Sequence, residues 1–151
     1  MTNNDILRRV RYILQFSDSK MIELFKLADY EVQTANIHGW LRKLDDPLLV
    51  EISDTELAIF LNGLIIDKRG KREGPQPEPE AHLSNNMILR KLKIALNLKT
   101  DEILDMCASI DKPLGKHELS AFFRNANHRS YRHCLDQYLR NFLNALQEKH
   151  K

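Results

Sequence analysis

Arginine, histidine and aromatic residues lie close together between residues 122 and 133, and this mixture is suited to binding nucleic acid. Arginine side chains contact phosphates, and aromatic rings stack on bases. Protein interfaces use the same residue types, so a partner protein is the alternative ligand. The charged and histidine members of this cluster are Arg124, His128, Arg129, Arg132 and His133, interleaved with Phe122, Phe123 and Tyr131.

A second group of cations accompanies a sequence with helical periodicity. Apolar residues recur at helical spacing from Ile88 to Leu96, and the cations between them fall on the opposite side of the helix. These cations are Arg90, Lys91 and Lys93, and a related run contains Arg8, Arg9 and Arg11. The pattern favours an anion-binding surface, and a solvated helix face paired with acids such as Asp5 is the alternative interpretation.

The two cationic runs belong to an internal repeat. Residues 3–69 align without a gap with residues 85–151, so each residue matches the one 82 positions further on. A repeat at fixed spacing indicates a duplicated fold unit. Residues shared by both copies are therefore expected to be framework, and residues confined to one copy are candidates for function. Identical pairs include Asn3/Asn85, Asn4/Asn86, Arg8/Arg90, Arg42/Arg124 and Asp54/Asp136.

The repeat separates the charged cluster from the framework. The first copy has Asp46, Pro47 and Val50 at the positions of His128, Arg129 and Arg132, so the fold does not require positive charge there. Arg124 differs from these residues because it matches Arg42. We expect this repeated arginine to support the core of each copy through a carboxylate, either Asp29/Asp111 or Asp54/Asp136.

The sequence predicts an all-α protein built by tandem duplication of a roughly four-helix unit. The two copies are expected to pack with approximate twofold pseudosymmetry, because a 67-residue unit alone has little core. We predict a first helical repeat at 1–70, a proline-rich linker at 71–83 and a second helical repeat at 84–151. Asn3 or Asn4 should cap the first helix, residues 84–86 should cap its counterpart, and the last helix should run from about Ser130 to near Gln147.

Two helix pairs in this pattern resemble a helix-turn-helix, one from Lys20 to Lys43 and one from Asp101 to Asn125. In a DNA reader of this type, the second helix lies in the major groove and presents polar residues near its start. Short helix pairs are also common in any helical bundle, and the weak overall basicity counts against many phosphate contacts.

Composition bounds the function further. The formal charge of +2 combines −2 for residues 1–70, −1 for residues 71–83 and +5 for residues 84–151. An anionic partner should therefore meet the second copy first.

No stretch suits a membrane span or a secretory signal, so we expect a cytoplasmic protein. Two cysteines, Cys107 and Cys134, match Phe25 and Ile52 in the first copy, which favours reduced, core-filling thiols.

Enzymatic patterns are weak. With five glycines, no phosphate loop or dinucleotide fingerprint is assembled, and the histidines and cysteines lack the spacing of a zinc site. We therefore predict a non-catalytic protein without a metal or cofactor. The leading hypothesis is a nucleic-acid-binding module that acts through the basic face of the second copy. The alternative is a protein–protein adaptor or regulatory module that does not bind nucleic acid.

Three segments carry a resemblance to a known family. They are Asn4 to Tyr12 (NDILRRVRY), Phe60 to Lys71 (FLNGLIIDKRGK) and Asn85 to Ile103 (NNMILRKLKIALNLKTDEI). Together they resemble the bacterial YehS-like family, a domain of unknown function in two tandem copies, over essentially the whole chain. The resemblance implies a small intracellular bacterial protein. It implies no activity, substrate or site.

Overall fold

The chain folds into eight α-helices and contains no β-strand in a computed structural model, which describes residues 1–151. The chain divides into two compact units, Met1–Leu83 and Ser84–Lys151. The all-α class and the duplication of a four-helix unit are thus confirmed. Unit 1 contains α1 (Asn3–Leu14), α2 (Asp18–Leu27), α3 (Thr34–Leu41) and α4 (Asp54–Arg69). Unit 2 contains α5 (Asn85–Ala95), α6 (Thr100–Ser109), α7 (Lys116–Phe122) and α8 (Asp136–Lys149).

Hydroxyl side chains begin the first helix of each unit. Thr2 Oγ1 accepts a hydrogen bond from the Asp5 amide at 3.1 Å, and Ser84 Oγ accepts one from the Met87 amide at 3.2 Å. These bonds satisfy amides that have no partner within the helix. The prediction that Asn3 or Asn4 caps α1 is wrong, because both residues already lie within the helix.

The paired asparagines hold α1 and α5 in place instead. The Asn4 side chain is buried, donates to the carbonyls of Trp40 and Val50 at 2.8 and 2.9 Å, and accepts from the Ile52 amide at 3.2 Å. Backbone groups in this buried position need such partners, since leaving them unpaired costs stability. Asn86 repeats the pattern with Phe122, Arg132 and Cys134.

Aromatic rings fill the centre of unit 1. Phe25 lies 5.2 Å from Trp40 and 5.5 Å from Phe60, measured between ring centroids. Unit 2 has the smaller Cys107 at the position of Phe25, and this residue is 2% exposed. The cysteines are therefore buried and unpaired, as predicted.

The segment that follows the third helix of each unit is irregular. Residues 124–135 form turns and extended backbone, and α8 begins only at Asp136. The prediction that the last helix starts near Ser130 is therefore wrong. Asn86 explains the difference, because its side chain bonds to the backbone of Arg132 and Cys134 and so holds this segment out of a helix.

The proline-rich segment 71–83 contains no helix and packs on unit 1. Thr55 Oγ1 donates to the Glu80 carbonyl at 3.1 Å, and the Leu83 amide donates to Asp54 at 2.9 Å. A cavity of about 110 Å³ lies beneath it. Its apolar lining includes Leu27, Ile59, Ile66, Pro77 and Pro79.

Candidate anion-binding groove of unit 2

An open groove of about 610 Å³ lies on unit 2, where the end of α5, the start of α6 and the end of α7 meet. Three cations, two hydroxyl residues and two apolar residues line it. They are Arg90, Lys93, Arg124, Thr100, Ser120, Ile94 and Phe123. Three of the predicted site residues are thus brought together, namely Arg90 and Lys93 of α5 and Arg124, which follows α7 about 30 residues further along the chain.

Local contacts fix the cations at this groove. The Arg90 guanidinium donates to the Phe123 carbonyl, which ties α5 to the end of α7. The Lys93 ammonium lies 5.7 Å from the centroid of the Phe123 ring, within the range of a cation–π contact. Asn86 reinforces the arrangement by bonding the start of α5 to the Phe122 carbonyl.

The same place in unit 1 is neutralised by an acid. Asp18 lies at the start of α2, and its carboxylate is 2.9 Å from Arg11 Nη2 and 2.8 Å from His38 Nε2. These two partners belong to α1 and α3 respectively. One carboxylate therefore bridges two neighbouring helices and occupies the space between them.

Two more carboxylates pair with arginines of unit 1. Arg8 pairs with Asp5 at 3.0 Å, and Arg42 pairs with Asp46 at 3.1 Å. The expectation that Arg42 supports the core through Asp29 or Asp54 is therefore wrong. Asp29 instead ends the α2 turn with a backbone φ of 62°, a left-handed conformation that aspartate tolerates.

Unit 2 lacks all three of these carboxylates. The positions of Asp5, Asp18 and Asp46 are occupied by Met87, Thr100 and His128. As a result, the structure gives no carboxylate partner to Arg90, Lys93 or Arg124. Arg90 and Arg124 are exposed, whereas Arg8 and Arg42 are half-buried. The positive charge of this groove is therefore not neutralised within unit 2.

The remaining residues of the predicted cluster lie on the irregular segment after α7. Hydrogen bonds fix its turn, since the His128 amide donates to the Asn125 carbonyl at 2.8 Å and the Tyr131 amide to the His128 carbonyl at 2.9 Å. His128, Arg129, Arg132 and His133 are all exposed. They do not line the groove, and neither does Lys91.

The predicted site residues do not include the two hydroxyl residues of the groove. Thr100 replaces Asp18, and Ser120 replaces His38. The signal was present in the repeat alignment, because both members of the Asp18–His38 pair change together. Threonine and serine carry no charge, so the charge pattern that identifies the cations does not identify them.

Neither cysteine is arranged for chemistry. Burial raises the pKa of the Cys107 thiol, and burial together with the neighbouring Asp136 carboxylate raises the pKa of Cys134 to about 12. Thiols of this kind stay protonated near neutral pH and are poor nucleophiles. No cluster of three or more histidine, cysteine, aspartate or glutamate side chains is suited to a metal ion.

None of the helices combines the length and the apolar character that a membrane span needs.

Comparisons with known proteins place the chain in a family. The model of a protein family of unknown function, DUF1456, matches residues 3–70 and again residues 85–151. The uncharacterized protein YehS of Escherichia coli (strain K12) is 42% identical over 147 residues, which cover 97% of this chain and 94% of that protein. No solved structure matches. The chain therefore belongs to the YehS-like family DUF1456, whose model it matches twice.

Proposed function

We propose that this chain is a non-catalytic nucleic-acid-binding protein that acts through the basic face of unit 2. We define this face by the cations of α5 and of the segment that follows α7. Its members are Arg90, Lys91, Lys93, Arg124, His128, Arg129, Arg132 and His133.

The observation that carries this proposal is the loss of carboxylates from unit 2. A framework that pairs its arginines with Asp5, Asp18 and Asp46 in one copy has no acid at these positions in the other. Arg90, Lys93 and Arg124 have no carboxylate partner within unit 2, so they attract external anions, and phosphates are the anions that arginine and lysine bind in nucleic acids. The net charge of +5 on residues 84–151 adds a long-range attraction of the same sign.

The groove suits phosphate binding better than it suits reading a duplex by a helix-turn-helix. A recognition helix presents its first turn to base edges. Here α7 has seven residues, and its first turn carries Glu118, which caps the helix by accepting from the Gly115 amide at 3.1 Å. An acid at this end of the helix repels the DNA backbone. Glu118 thus counts against duplex reading by α7, and the helix-turn-helix-like arrangement stays a prediction from the sequence.

A protein partner is the second candidate. Exposed apolar side chains occur next to the cations, namely Met87 at 39%, Ile94 at 45% and Leu135 at 58% exposure. The centre of a protein interface is enriched in such residues. An adaptor would bury them and would keep its affinity in salt, whereas phosphate contacts weaken steeply as salt rises.

Fluorescence anisotropy tests the proposal. It measures the binding of labelled single-stranded DNA, RNA and duplex DNA at several salt concentrations. Charge reversal by Arg129→Glu with Arg132→Glu should lower affinity at least tenfold. The matched control, Lys26→Glu with Lys43→Glu, makes the same change in net charge on exposed residues of unit 1 and should lower it far less. Both variants should melt within about 2 °C of the unmodified protein, because exposed substitutions alter stability little.

Absence of binding to all three nucleic acids at low salt would refute the proposal. Capture of a protein partner from nuclease-treated extract that persists in high salt would then support the adaptor.

A further inference from the structure

We infer that the groove of unit 2 binds one phosphate group of a single-stranded nucleic acid, at the place that the Asp18 carboxylate occupies in unit 1. This inference rests on the proposed function and adds the chemical group, the place and the type of strand. The residues that would hold the phosphate are Lys93, Thr100, Ser120 and Arg124, which we call the phosphate seat.

Unit 1 shows that the shared framework holds an anion at this place. The Asp18 carboxylate is bound from two sides, by Arg11 of α1 at 2.9 Å and by His38 of α3 at 2.8 Å. The backbone of the repeat therefore brings the first and third helices close enough for one anionic group to contact both. In unit 1, the chain itself supplies that group.

Unit 2 keeps the cation and removes the anion. Lys93 stands where Arg11 stands in unit 1, so the positive charge from the first helix is retained. Thr100 is shorter than aspartate and neutral, and Ser120 is shorter than the histidine it replaces. Unit 2 therefore has the positive charge of Lys93 beside space that no carboxylate fills. Both lie in the open groove of about 610 Å³.

The chemistry of the seat matches a phosphate. Phosphate oxygens accept several hydrogen bonds, and their bonds to lysine and arginine are charge-assisted and strong. The hydroxyls of Thr100 and Ser120 are additional donors. Thr100 is also the first residue of the ten-residue helix α6, where the helix dipole favours negative charge.

Two acids, Asp101 and Glu102, lie in the first turn of α6, and neither lines the groove. The Glu102 carboxylate accepts from the Lys99 amide at 3.1 Å and from the Lys149 ammonium at 3.3 Å. Its charge is thus engaged by other partners within unit 2. These contacts also lower the pKa of Glu102, with the Lys99 amide as the main cause.

Apolar residues beside the seat favour a single strand over a duplex. Ile94 is 45% exposed, and the half-buried Phe123 also lines the groove. Unpaired bases expose apolar faces that pack on such side chains. In a duplex these faces are stacked inside the helix, so only the backbone would meet the groove.

Thr100→Asp tests the seat, because it restores in unit 2 the residue that unit 1 has at this position. The variant should fold normally, since an acid at the start of a helix is stabilising. The internal carboxylate should occupy the seat and lower the affinity for a single-stranded 12-mer at least tenfold. Thr100→Asn is the matched neutral control and should stay within about threefold of the unmodified protein, because it adds a side chain of similar size without charge.

Titration with inorganic phosphate, followed by amide chemical shifts, locates the seat independently of any strand. Shifts should concentrate at Lys93, Thr100 and Ser120 in the unmodified protein and disappear in Thr100→Asp. Single-stranded DNA should compete with phosphate for these shifts, and a duplex of the same sequence should compete at least tenfold less well.

Four outcomes separate the two proposals. If Thr100→Asp binds strands as tightly as the unmodified protein while Arg129→Glu with Arg132→Glu does not, the seat is refuted and the proposed function stands. If inorganic phosphate binds at Thr100 but no nucleic acid binds at low salt, the strand assignment and the proposed function both fail. Equal competition by single strand and duplex refutes the preference for single strands. If Thr100→Asp loses both strand binding and phosphate binding while Thr100→Asn keeps them, the inference is supported.

Discussion

Gly63 shows at the scale of one residue how the two units differ in their helix packing. A Cβ atom at this position would lie 1.8 Å from the Leu24 carbonyl oxygen, which belongs to α2. No side chain fits at that distance, so α2 and α4 approach each other this closely only because the residue is glycine. The equivalent residue of unit 2 is Ala145, which is 1% exposed.

Gly63→Ala should therefore destabilise the protein by about 2–3 kcal/mol, because the added methyl group must push two packed helices apart. Urea unfolding followed by circular dichroism measures the change. The reverse substitution, Ala145→Gly, is the control and should cost about 1 kcal/mol, mainly through the lower helix propensity of glycine. Equal costs for the two substitutions would show that the close approach of α2 and α4 is absent in solution.

At the scale of the helices, one aspartate begins the last helix of each unit and links it to the first. Asn3 donates to Asp54 at 2.7 Å, and Asn85 donates to Asp136 at 2.7 Å. Asp54 also accepts from the Leu83 amide at 2.9 Å. These hydrogen bonds favour the charged form, so the pKa of Asp54 is lowered, mainly by Asn3 and then by Leu83. The pKa of Asp136 is lowered mainly by Asn85.

Because the pKa of Asp54 is lower in the folded state than in the unfolded state, the free energy of unfolding depends on pH. The contribution of Asp54 should be complete above the unfolded value of about 4 and should be lost as the pH falls through the lower folded value. Urea unfolding between pH 2.5 and 5 measures this slope. Asp54→Asn should make this slope shallower, because it removes one of the carboxylates whose pKa is lowered in the folded state, while Asp136 keeps its own. An Asp54→Asn variant with an unaltered slope would contradict the linkage.

The repeat in the sequence predicted the helices well and their polar contacts less well. Apolar spacing predicted about four helices in each unit, because a buried helix face must recur every three to four residues. The same spacing holds no information about Asn4 and Asn86, whose partners lie more than 30 residues away. The late start of α8 at Asp136 followed from one of those long-range contacts and was missed for this reason.

The sequence predicted the cations of the groove but not their partners. Arg90, Lys93 and Arg124 are visible in the sequence because their charge is unusual. Which acid pairs with which arginine depends on side-chain geometry between helices, so the Arg42–Asp46 pair replaced the expected partners. Thr100 stands out only by comparison with Asp18, which pairs with Arg11 and His38 in unit 1.

At the scale of the whole molecule, one framework carries two opposite charge patterns. Residues 1–83 have a net charge of −3, and residues 84–151 have a net charge of +5. Three of the carboxylates that unit 2 lacks, those at the positions of Asp5, Asp18 and Asp46, pair with cations in unit 1. In unit 1, carboxylates of the chain itself pair with the cations of the framework. In unit 2, under our proposal, an external phosphate takes the place of one of them.

This relation predicts that a phosphate seat can be built in unit 1. Asp18→Thr with His38→Ser gives unit 1 the two hydroxyl residues of unit 2 and removes the bridging carboxylate from Arg11. Titration with inorganic phosphate should then show shifts at the new Thr and Ser positions of α2 and α3, in addition to those at Thr100, and two phosphates should bind per chain.

The new seat should bind phosphate more weakly than the original, because Asp5 and Asp46 still neutralise Arg8 and Arg42 and unit 1 remains acidic. Adding Asp5→Met and Asp46→His should strengthen it by removing these two carboxylates. His38→Ser alone is the control, since it leaves Asp18 in place and should keep one phosphate per chain. A double variant that binds a single phosphate would show that the shared framework does not itself create the seat.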